Sequence, residues 1–183
     1  MRKGNSTVVI RPEKPQDYAG IHEVYRLVFR REIEARLVEN LRASPAFVAD
    51  LSIVAVGGKN VVGHALFSPV SIEMPYDELP AVALVPIAVR SEYQKQDVFV
   101  RMLRQGLKVC NLLGYLCVIT VGEPSEYIPL DFMPASRKGL RMSFRIEVGE
   151  LLVLEIEKIL LDGTEGIVKL PPVFDELWEA LIS

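Results

Sequence analysis

The sequence predicts an α/β domain built on one central sheet, and three stretches carry that expectation. Ala81 to Val89, AVALVPIAV, is too continuously apolar for a strand with one wet face, and belongs in the middle of a sheet covered on both sides. Val98 to Leu113 comes next with apolar residues at helical spacing, and Tyr115 to Val121 is a second apolar strand. Leu51 to Val56 and Val61 to Val70 are joined by Gly57, Gly58, Lys59 and Asn60, a turn tolerant of positive φ, so they read as a hairpin. Strands alternating with helices define the class.

From the N-terminus, Thr7 to Arg11 is a β-branched strand stopped by Pro12, and Pro15 to Asp17 supplies the proline and the acid of a helix start. Ile21, Val24, Leu27 and Val28 form the apolar face of a first helix ending near Phe29; Ile33, Leu37, Val38 and Leu41 do so for a second, closed by Ser44 and Pro45. Glu73 to Pro80, with two prolines and three acids, reads as a loop. Pro86 removes one ladder donor from the central strand, as happens where a sheet splays or bulges. The helix from Val98 buries Phe99, Met102, Leu103, Gly106, Val109, Cys110 and Leu113, and Gly114 ends it in a left-handed conformation. Beyond Val121, Leu151 to Ile156 is a strand, Asp162 to Gly166 a turn, Ile167 to Leu170 a short strand, and Phe174, Leu177, Trp178 and Leu181 share one face of a terminal helix. No repeat or linker divides the 183 residues, which are read as a single domain, 1–183.

Composition narrows the partners. Half the residues are apolar and a quarter charged, as in a globular domain with a substantial core, and a net charge of -3 disfavours nucleic acid or an anionic membrane as principal partner. The start, MRKGNSTVVIRP, has basic residues but no continuous apolar run of signal-peptide length, and no apolar stretch is long enough to span a bilayer. Cys110 and Cys117 are too few for a disulfide framework and read as buried thiols, so a cytoplasmic location is expected. His22 lacks a second ligand at metal spacing and reads as a surface residue; no metal site is expected. His64 lies in the hairpin, either facing a cleft or hydrogen-bonded within the fold.

Residues Ser91 to Leu107, SEYQKQDVFVRMLRQGL, resemble the acetyl-CoA-binding segment of the GNAT N-acetyltransferases. The family signature is Gln or Arg, two variable residues, Gly, one variable residue, then Gly or Ala; here Gln94 is kept, with Asp97 and Phe99 at the two small positions. A second family frame, Tyr, three variable residues, Gly, Phe, reads Tyr127 to Phe132 with Asp131 at the glycine. The strand VVGHALFSPV and the ending PPxFDE resemble a small bacterial subgroup of predicted N-acetyltransferases, and the likeness spans about Val8 to Leu177. It implies a GNAT fold, a central mixed β-sheet flanked by helices on both faces. It also implies transfer of acetyl from acetyl-CoA to a small-molecule or peptide amine, and, because relatives often dimerise, a homodimer. By resemblance, Gln94 and the backbone of Lys95, Gln96, Asp97, Val98, Phe99 and Val100 hold the pyrophosphate. The Ile87 and Val89 amides run along the pantetheine arm, and Tyr127 protonates the departing thiolate.

The three replaced small residues set the question. No glycine occurs between Gly63 and Gly106. A carboxylate roughly 5 Å from a phosphate charge opposes it by about 3 kcal/mol at an effective dielectric near 20. Asp97 is read as the helix N-cap, its carboxylate accepting from the Phe99 or Val100 amide, so that the protein fills its own anion site. Arg90, Lys95, Arg101 and Arg104 are the cations available to compensate. Glu123, just past the second strand, is the best general base, directly or through a water. Three readings stay open: an N-acetyltransferase, a non-catalytic GNAT-fold binding module, or a catalyst using another acyl donor or a displaced CoA pose.

Overall fold

A computed structural model describes residues 7–146, 149–156 and 165–182, apart from the side chains of 95, 96 and 180–182. The described residues form nine strands in one mixed sheet. In chain order these are β1 (Val8–Pro12), β2 (Ser52–Gly57), β3 (Asn60–Glu73), β4 (Glu78–Val89), β5 (Cys117–Gly122), β6 (Met133–Pro134), β7 (Leu140–Met142), β8 (Glu150–Glu155) and β9 (Gly166–Lys169). The path is β1-β2-β3-β4-β5-β8-β6, with β9 joined to β3 and β7. The helices are α1 (Tyr18–Phe29), α2 (Ile33–Arg42), α3 (Val98–Leu112), α4 (Pro124–Tyr127) and α5 (Asp175–Ile182). The expected turn at 162–166 and the Leu181 side chain fall largely outside the described residues.

Helices cover both faces, as expected. Ile21, Val38, Phe174 and Leu177 bring α1, α2 and the chain around α5 into one apolar cluster, while Val98, Met102, Leu103 and Cys110 of α3 belong to the cluster on the opposite face. Gly106 permits the close approach of α3: a Cβ there would stand 2.0 Å from the Phe67 ring of β3. Cys110 and Cys117 are buried free thiols, both pushed up to about 12 by burial, which keeps them protonated and inert.

Three expectations need correction. Leu27 is half exposed, and Tyr25 takes its place on the buried face of α1, because its hydroxyl finds polar partners inside. Leu113 lies just past the end of α3 and is exposed. The segment from Glu73 to Pro80 is mostly strand: Glu73 pairs with Glu78, leaving only residues 74–77 as the turn. Glu73 and Glu78 sit at exposed strand ends and Asp77 in the exposed turn between them.

A buried polar network ties β1 and α2 to the hairpin. Arg42 forks onto Glu13, with Nε to Oε1 at 2.7 Å and Nη2 to Oε2 at 2.9 Å. His64 is fully buried, bonded at Nδ1 to the Tyr25 hydroxyl and at Nε2 to the Ser52 hydroxyl, each at 2.8 Å. It therefore organises the interior and faces no cleft. Burial opposes ionisation of Glu13, but hydrogen bonds from His64, Arg42 and Ser52 outweigh it and bring the pKa down to about 2. Burial likewise holds His64 below its ordinary value, keeping the ring neutral. Both groups release protons more readily folded than unfolded, so both stabilise at neutral pH and lose that stabilisation in acid. Urea stability is expected to decline below pH 6.5 as His64 charges in the unfolded chain, and again from 4.5 toward 2 through Glu13. Glu13→Gln should cost about 2 kcal/mol at pH 7 and flatten the lower limb; an unaltered profile would remove Glu13 as its source.

Candidate active site

The site begins where the sheet opens. β4 and β5 pair in parallel only over Ala81, Ala83 and the residue between them, against Cys117 to Ile119; beyond this the strands part. A bulge prepares β4 for its exposed half: Phe67 opposes Leu84 while Ala65 opposes Ile87, so two steps on β3 match three on β4. That extra residue re-aims the remainder of β4. Ala81, Ala83 and Ala88 pack toward α1, whereas Val82, Leu84, Ile87 and Val89 pack toward α3. The Arg90 amide donates to Val62 of β3 at 2.8 Å. Because successive strand amides point to opposite edges, the Val89 and Ile87 amides face the edge that β5 has left.

The turn after β4 is a 3₁₀ segment, Ser91–Gln96, leading into Asp97 at φ 54° and ψ 21°. This is the left-handed region, which explains a glycine requirement and also why aspartate, which tolerates that region, can substitute. Asp131 repeats the solution at φ 68°. Both aspartates thus adopt the left-handed backbone that glycine enters without steric cost. The capping role expected of Asp97 is overturned: its carboxylate is exposed and makes no hydrogen bond to the helix amides, since a left-handed residue does not have the extended geometry of a side-chain N-cap. The first α3 bond runs from the Arg101 amide to the Asp97 carbonyl, 2.9 Å. The Val98, Phe99 and Val100 amides ahead of it have no intrahelical acceptor and remain directed outward at the positive end of the helix.

Phe99 is half-buried, with its ring edge-on to Tyr127 at 5.8 Å. Val98 is wholly buried, Val100 half-buried, and Gln94 exposed; the Lys95 and Gln96 side chains lie outside the described part of the structure. The four cations differ. Arg101 is tied to the Val8 carbonyl at 2.7 Å and Arg90 to Glu23 at 2.9 Å, whereas Arg104 lines an outer groove of about 330 Å³ beside Val100 and Asp131.

Tyr127 ends α4 and is held between Phe99 and Phe132, the latter 5.4 Å away. It lines a cleft of about 250 Å³ between the parting strands, together with Leu84, Ile87, Thr120 and Val121. The Thr120 hydroxyl reaches across the gap to the Leu84 carbonyl at 2.9 Å. Gly122 leaves room for the Tyr127 ring, which a Cβ would approach to 2.5 Å. Burial raises the phenol above its ordinary value despite the opposing influence of Thr120, so it is protonated at neutral pH as an acid must be.

Glu123 is exposed at the N-terminus of α4 and does not line this cleft. A carboxylate missed by the sequence reading does: Glu34, in the first turn of α2, is almost wholly buried. The signal that could have found it is its spacing: Glu34 stands at i-3, i-4 and i-7 from Leu37, Val38 and Leu41, on the apolar face of α2. No cluster of three metal-binding side chains occurs among the described residues, although His22 contacts Glu39 at 2.8 Å and Glu32 at 3.0 Å on the surface. Nor is any described helix long and apolar enough to cross a membrane.

Parted parallel strands, free amides at a helix start and a buried tyrosine define an acetyltransferase of the GNAT class. The family's acetyltransferase (GNAT) domain model matches residues 9–128, and the chain belongs to that family. It is 31% identical to the N-acetyltransferase YhbS of Escherichia coli over 163 residues, 88% of this chain and 95% of that protein. It is 32% identical to the N-acetyltransferase YjhQ of the same organism over 124 residues, 67% of this chain and 68% of that one. The crystal structure of Escherichia coli YhbS in complex with CoA matches with a TM-score of 0.84 at 28% identity, covering 96% of both chains. A GNAT acetyltransferase from Brucella melitensis in complex with acetyl-CoA matches at 0.73 and 25% identity, covering 93% of this chain and all of that one.

Proposed function

We propose that this N-acetyltransferase moves the acetyl group of acetyl-CoA to the primary amine of a small molecule or peptide. The observation that carries the reading is the unblocked start of α3: Asp97 supplies the left-handed turn without capping the helix, so three amides remain for a pyrophosphate. Gln94 and the backbone from Lys95 to Val100 then hold the phosphates, and the Ile87 and Val89 amides extend the β4 edge along the pantetheine arm. The thioester reaches the cleft, where the amine attacks its carbonyl and Tyr127 gives its proton to the departing sulfur. Glu123 lies outside the cleft lining, so a proton that it accepts travels through water. A non-catalytic module is disfavoured by the same open helix start. A cytoplasmic setting fits the two unpaired buried thiols.

The test is release of free thiol from acetyl-CoA on addition of a panel of primary amines, with mass detection of the acetylated product. Arg104→Ala is expected to raise the KM for acetyl-CoA by about five-fold, the loss of one partly screened phosphate contact, with little change in kcat. Thiol release without any acetylated amine would leave a hydrolase in place of a transferase.

A further inference from the structure

Glu34 occupies the transfer cleft with half of its carboxylate uncommitted. Its Oε1 takes both hydrogen bonds from Arg31, one from Nε at 2.8 Å and one from Nη2. Its Oε2 is buried and has no partner. A carboxylate oxygen withdrawn from water without a donor is costly, and such groups are few in folded proteins. The Arg31 fork also fixes the orientation of the carboxylate, so the free oxygen is pre-positioned.

We propose that Glu34 is the acceptor-recognition residue: its Oε2 receives the ammonium group of a primary amine carried on an apolar stem, and accepts the proton that this amine loses before attack. The proposal rests on the reading of the cleft as the site of acetyl transfer. Charge selects the class, because the lining has two carboxylates, Glu34 and Glu126, against the single guanidinium of Arg31. A cation restores neutrality; an anionic acceptor meets two like charges. The stem is selected by Phe29, Val85 and Leu177, which supply apolar wall on the same cleft.

The proton inventory closes. The ammonium gives one proton to Glu34 Oε2, and the freed nitrogen lone pair attacks the thioester carbonyl carbon. A C–N bond forms, the C–S bond breaks, and the CoA thiolate takes the Tyr127 proton. The nitrogen loses a second proton as the amide forms, which restores the phenol, and Glu34 passes its proton to water, the route by which Glu123 accepts it.

The test uses 2-phenylethylamine and its neutral counterpart 2-phenylethanol, titrated calorimetrically into the native chain, Glu34→Gln and Glu34→Asp, with acetyl-CoA titrated separately. The native chain is expected to bind the amine at least tenfold more tightly than the alcohol. Glu34→Gln should lose that preference and raise the amine KM at least tenfold, with acetyl-CoA affinity intact as the check on folding. Glu34→Asp should recover part of the preference. Equal affinity for amine and alcohol in the native chain, or an amine affinity unchanged in Glu34→Gln, overturns the assignment. Amine binding that depends on Glu34 in a chain that does not bind acetyl-CoA supports the assignment and overturns the donor reading instead.

Discussion

Tyr127→Phe is expected to lower kcat by about a hundredfold or more while leaving the affinity for acetyl-CoA within about a factor of two. The variant deletes one oxygen and keeps the ring, so the edge-on contacts with Phe99 and Phe132 persist. What disappears is the proton for the leaving sulfur, which matters only once the C–S bond breaks. A loss confined to kcat therefore identifies a group acting in the transition state. Pre-steady-state thiol release, measured beside equilibrium binding, separates the two. If kcat survives within threefold, Tyr127 is a packing residue between two phenylalanines and solvent protonates the thiolate.

Asp97→Asn is expected to tighten acetyl-CoA binding by about tenfold at low ionic strength, and by less at high salt. Asparagine shares the tolerance of aspartate for the left-handed region, so the backbone at φ 54° is retained and only charge is removed. The full effect of about 3 kcal/mol for a carboxylate roughly 5 Å from a phosphate is not expected, because Asp97 is exposed and water screens it. Titration at two salt concentrations checks the cause as well as the size. Equal affinities at both would show that the carboxylate points away from the bound anion.

These variants bear on what the sequence could and could not convey. Continuous apolarity identified Ala81 to Val89 as a covered central strand, and helical periodicity found α3, because burial imposes those patterns residue by residue. The family frames located Asp97 and Asp131, and counted both as departures. At the level of the backbone they are conformational equivalents of glycine, which a change of side chain alone does not disclose. The N-cap reading of Asp97 failed for the same reason: capping ability belongs to φ and ψ as much as to the carboxylate. His64 and Tyr25 illustrate a second limit. Their hydrogen bond joins residues 39 positions apart, and no periodicity records such a pairing. Glu34 was hidden by its chemistry, since a glutamate in a first helical turn is ordinarily a solvated charge, and only the cleft beneath α2 makes it otherwise.

Calorimetric titration of the native chain with acetyl-CoA tests the central claim most directly, that an aspartate in the signature turn leaves the anion site open. One-to-one binding with a Kd in the micromolar range is predicted, weakened by rising salt as phosphate contacts are screened. Absence of saturable binding by a folded native chain, with binding restored in an Asp97→Gly, Phe99→Gly double variant, would show that those side chains close the site, and would contradict the account.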